Sequence, residues 1–88
     1  MNSISAQVSL YPLGQEILSP AIDAALRIFR AHVSHVDPGS MSTLISGDVA
    51  AVFAALQAAF QEAAGQEHIV MVVTFSNACP APKSGSVD

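Results

Sequence analysis

Ile4, Ala6, Val8 and Leu10 alternate with Ser5, Gln7, Ser9 and Tyr11. A period of two puts one apolar and one polar face on a strand. The polar face is made of small neutral hydrogen-bonding groups instead of charges, which predicts that it is partly enclosed. Tyr11-Pro12-Leu13-Gly14 ends the strand, because proline removes a ladder donor and glycine permits a turn. Ser19-Pro20 then pairs an N-cap residue with a proline suited to the first helical position. Ile22, Ala25, Leu26, Phe29 and Val33 follow at helical spacing, which predicts a helix from about Pro20 to Val33.

The middle of the chain reads as a hairpin. Ser34 to Asp37 forms a short strand, Pro38-Gly39 turns it, and Met41 to Ser46 returns as a third strand. Gly47-Asp48 caps a second helix with an apolar stripe of Val49, Val52, Phe53, Leu56 and Phe60, and Gly65 stops it. His68 to Ser76 is the fourth strand. Its continuous run Ile69-Val70-Met71-Val72-Val73 predicts burial on both faces. One face meets the helices, and a second subunit is the natural cover for the other. Residues 1–80 then form one domain of order strand, helix, strand, strand, helix, strand, a ferredoxin-like α+β sandwich with a four-stranded antiparallel sheet and two helices on one face. Residues 81–88, rich in Pro, Ser and Gly, read as a flexible tail.

Composition adds weight to self-association. Hydrophobic residues make up 51% of 88 positions and charged residues 11%, more apolar surface than one small domain covers easily, so a homodimer or homotetramer is expected. Arg27, Arg30 and Lys83 are the only Lys or Arg residues against seven acidic ones. That balance lacks the basic patch nucleic-acid backbones require. No apolar run approaches the roughly 20 residues of a membrane span. One cysteine and a start without a basic and apolar leader make the cytoplasm the expected compartment.

Candidate chemistry gathers where strands end. Val72 to Phe75 runs into Ser76, Asn77, Cys79 and Pro80, a sequence able to place amide and hydroxyl groups at the rim of a core. Cys79 has no base or cation placed beside it by the sequence, so a structural thiol is expected over a nucleophile. His32 and His35 lack further ligands to complete a metal site, and none is expected. His68 reads as structural, and Gly14 and Gly47 have no phosphate-loop spacing.

Ser9-Leu10-Tyr11-Pro12, Ser42-Thr43 with Gly47, Val52-Phe53-Ala54-Ala55-Leu56, and Thr74-Phe75-Ser76 followed by Cys79-Pro80 resemble the YkoF-like thiamine-binding family. The resemblance spans essentially Ile4 to Pro80. It implies ferredoxin-like modules that bind thiamin or its hydroxymethylpyrimidine part without catalysis or a further cofactor, in salvage, transport or sensing. Some members carry two modules in one chain, so a single module implies assembly of copies. Single-module relatives have an acidic residue where this chain has Ser46. With the resemblance, Ser42, Thr43, Ser76, Asn77, Gln7 and Ser9 become candidate partners for an aminopyrimidine edge, and Tyr11 a candidate face for the cationic thiazolium. A regulatory metabolite-sensing or interaction module without thiamin affinity is the alternative, since the fold alone does not assign function.

Overall fold

The computed structural model describes residues 3–13, 19–39, 42–65 and 67–78. Strand β1 (Ser3–Pro12) is followed by helix α1 (Ser19–His32), β2 (His35–Pro38), β3 (Thr43–Asp48), α2 (Val49–Ala64) and β4 (Ile69–Ser76). The four strands form one antiparallel sheet in the order β2-β3-β1-β4, which is the expected ferredoxin-like arrangement. Boundaries shift by one or two residues: β3 extends through Gly47 to Asp48, and the hydrophobic pattern could not mark that extension. The predicted tail, with Cys79 and Pro80, lies outside the described residues, as do Gly14 and Met41.

β1 is central, and its alternation sorts the two faces of the sheet. Ala6 and Val8 are buried beneath the helices, in register with Ile45 and Thr43 of β3 and with Phe75 and Val73 of β4. α1 contributes Ala25 and Phe29, with Val33 just beyond its end, to the same core. The opposite face carries Ser5, Gln7, Ser9 and Tyr11. Across it Ser76, Ser5, Ser46 and His35 form one row spanning all four strands. Ser5 and Ser46 are buried within this row, and their hydroxyls meet at 3.3 Å. The expectation of a partly enclosed polar face therefore holds in its centre, where neighbouring strands flank both serines.

Two expectations need correction. α2 is rotated relative to its predicted stripe: Val52, Ala55, Leu56, Ala59 and Ala63 are buried, whereas Phe53 and Phe60 are 52% and 42% exposed. An alanine face loses no side-chain entropy on burial and lets α1 and α2 approach closely, so the rings turn to the flank. The Asp48 side chain accepts from the Ala50 N–H at 3.2 Å and fixes the start of the helix. The second correction concerns β4. No residue of this most apolar strand falls in the buried class, because β4 is the sheet edge and, among the described residues, only β1 pairs with it.

The rotation of α2 has a measurable consequence. Ala59→Leu overpacks the helix interface and should lower stability by about 1–3 kcal/mol, whereas Phe60→Ala should change it by about 1 kcal/mol or less. Urea denaturation of both variants checks this; the reverse order would put the phenylalanines in the core.

Candidate functional site

The turn between β2 and β3 builds the rim of a cavity under α1. The Gly39 N–H donates to the Ser42 carbonyl at 2.8 Å. A Cβ at Gly39 would sit 2.9 Å from that same oxygen, so the close approach depends on glycine. Val8, Leu10, Ile22, Leu26 and Phe29 give the cavity apolar walls, and Ser42 and Thr43 complete its lining beside Pro38 and Gly39. The cavity volume is about 140 Å³. An apolar cavity of about 150 Å³ accommodates a benzene-sized molecule, so this one matches a single aromatic ring.

Thr43 lies in register with Val8 and faces the helices. Ser42 connects the two sides of the sheet: it lines the cavity, and its hydroxyl oxygen accepts from Gln7 Nε2 at 3.1 Å. With that lone pair engaged by an amide donor, the Ser42 hydroxyl proton is left for another acceptor. Gln7 is thereby tied, from the opposite face of the sheet, to a residue that lines the cavity.

The remaining candidates lie elsewhere. Ser9 and Tyr11 are on the opposite face of the sheet from the cavity, in register with Val72 and Val70. Ser76 and Asn77 border an open notch of about 500 Å³ with Ile4, Val49, Phe53 and Phe75, where the Phe53 and Phe75 rings stack with centroids 4.8 Å apart. Strand spacing separates this end from Thr43 by on the order of 14 Å. The structure therefore divides the predicted residues into a cavity group (Ser42 and Thr43, with Gln7 behind), an outer-face pair (Ser9 and Tyr11) and an end pair (Ser76 and Asn77).

The apolar walls had escaped assignment to the site. Ile22, Leu26 and Phe29 read in sequence as an ordinary core stripe, and only the nearness of Pro38-Gly39 to Ser42-Thr43 signals an opening there. The described residues contain no cluster of three His, Cys, Asp or Glu side chains able to hold an ion. His32 instead bonds its own helix, Nδ1 lying 2.9 Å from the Ile28 carbonyl. No helix among the described residues is long and apolar enough to cross a membrane.

Comparison with known proteins gives a consistent picture. The family model described as the YkoF-related family matches residues 3–82. A hypothetical protein of Methanocaldococcus jannascii superposes with a TM-score of 0.82 at 21% identity, over 99% of this chain and 90% of that one. A Thermotoga maritima protein provisionally assigned to thiamine biosynthesis or salvage gives 0.75 at 12% identity, over 98% and 89%. A Streptococcus pneumoniae protein gives 0.72 at 22%, over 84% of each chain. At these identities the structural likeness establishes the fold. No curated protein matches the chain in sequence.

If the cavity is open volume, enlarging a wall should be tolerated. Leu26→Phe is expected to keep the unfolding free energy within about 1 kcal/mol of the parent, whereas a close-packed site would lose about 1–3 kcal/mol. Thermal and urea unfolding distinguish the two.

Proposed function

Because the chain belongs to the YkoF-related family, we propose that it is a small-molecule binding protein whose cavity under α1 takes the pyrimidine ring of thiamin or of hydroxymethylpyrimidine. The observation that carries the proposal is the match of size and polarity: about 140 Å³ of mainly apolar space whose lining includes the hydroxyl-bearing residues Ser42 and Thr43. Apolar walls receive the ring faces and its methyl group. The Ser42 proton, freed by the Gln7 amide, donates to a ring nitrogen, and the Thr43 hydroxyl accepts from the exocyclic amine. Neither contact buries a charge, which would be costly in such a site.

The thiazolium ring of thiamin has no room beside the pyrimidine and remains at the mouth, near Pro38 and Gly39. The acidic balance of the chain, seven Asp and Glu against three Lys and Arg, is compatible with a cation there. Binding is the whole mechanism in this reading: no nucleophile, metal or further cofactor is invoked. A thiamine-linked structural relative supports the ligand class, and a cytoplasmic carrier, sensor or salvage-associated role fits it. The proposal includes association of copies as a homodimer or homotetramer.

Calorimetric titration with hydroxymethylpyrimidine and with thiamin tests the reading. Both should bind, with affinities within about tenfold of each other because the shared ring makes the main contacts. Thr43→Val and Ser42→Ala should each weaken binding by about three- to tenfold, the value of a neutral hydrogen bond, and Leu26→Phe should abolish it. Absence of heat and of thermal shift with either compound at millimolar concentration would contradict the proposal.

A further inference from the structure

Gln7 stands on the outer face of the sheet, yet its side chain is bonded to a residue of the cavity. It lies on β1 in register with Leu44 and Thr74 and is exposed. Its Nε2 donates to the Ser42 hydroxyl oxygen at 3.1 Å. Ser42 is held through its backbone as well, since its carbonyl accepts from the Gly39 N–H at 2.8 Å. Among the described residues the Ser42 hydroxyl has no other hydrogen-bond partner.

An amide N–H can only donate, so this bond fixes the sense in which Ser42 is used. A hydroxyl has one proton and two acceptor lone pairs. With one lone pair taken by Gln7, donation of the proton to a third group is reinforced, because successive hydrogen bonds polarise one another in the same direction. A carboxylate in place of the amide reverses the order. It can only accept, it draws the Ser42 proton toward the outer face, and only a lone pair is left for a molecule in the cavity.

We propose that Gln7, without touching the ligand, is a positioning residue that sets the hydrogen-bond polarity of the cavity and thereby the class of ring it selects. Aminopyrimidines, which present an unprotonated ring nitrogen to Ser42, are taken over oxopyrimidines, in which a ring carbonyl replaces the amine and the adjacent nitrogen carries a proton. The inference rests on the binding of a pyrimidine ring in this cavity. The apolar walls meet two rings of nearly the same shape, and the Thr43 hydroxyl can donate or accept as the ligand requires. The distinction therefore falls to Ser42, where an oxopyrimidine would set its N–H against the hydroxyl proton. Loss of that pairing costs about tenfold in affinity.

Calorimetric titration with hydroxymethylpyrimidine and with its oxo analogue tests the assignment. Neither probe carries the thiazolium charge, so a new carboxylate does not act on them by simple ion attraction. The parent should prefer the amino compound by about tenfold or more. Gln7→Glu, at an exposed position that leaves the core intact, should remove that preference by weakening the amino compound and strengthening the oxo analogue. Gln7→Ala should fall between the two. In a Ser42→Ala background, Gln7→Glu should leave the ratio of affinities unchanged. A ratio that Gln7→Glu does not move, an equal loss for both compounds, or the same change without the Ser42 hydroxyl would overturn the proposal. A parent that binds neither ring would overturn the reading of the cavity itself, and this inference with it.

Discussion

The register of β1 against both of its neighbours is the constraint on which the rest of this domain depends. Ala6 stands between Ile45 and Phe75, and Ser5 between Ser46 and Ser76. A slip of one residue would move every side chain of β1 to the other face, exposing Ala6 and Val8 and driving Ser5 and Gln7 against Phe29. The same register decides which hydroxyls belong to which site. Thr43 opens into the cavity because it opposes Val8, and Ser9 cannot reach that cavity because it points the other way.

Burial is distributed unevenly around this central strand. The core is made by small and medium side chains, with Phe29 the largest of the fully buried ones, and the alanine face of α2 draws the helices together. Close packing on one flank leaves the aromatic rings of α2 and the edge strand on the other. A domain with 51% hydrophobic residues thus shows most of its surplus apolar surface along a single line, while the cavity with its hydroxyl-bearing lining lies at the far end of the sheet.

Much of the fold was legible in the sequence because its signals are local. The alternation from Ile4 to Tyr11, the turn at Pro38-Gly39 and the cap at Asp48 each act over a few residues. The facing of α2 was not legible: Val52 and Leu56 fit both an alanine-inward and a phenylalanine-inward stripe, and only packing against α1 chooses between them. The run Ile69 to Val73 suggested a strand buried on both faces, yet an edge strand carries the same pattern. Site residues were recognised by type, and Ser42 and Thr43 were found at the cavity. Ser76 and Asn77 could not be separated from them without the strand order, which places β3 and β4 on opposite sides of β1.

The central claim is that a pyrimidine ring enters the cavity between α1 and the sheet. Intermolecular nuclear Overhauser contacts between the methyl group of hydroxymethylpyrimidine and the protein test it most directly. The account predicts contacts to the side chains of Leu26, Ile22 and Thr43, with none to Tyr11. Contacts to Tyr11 and Val70 on the outer face, or to Phe53 and Phe75 at the notch, would contradict it.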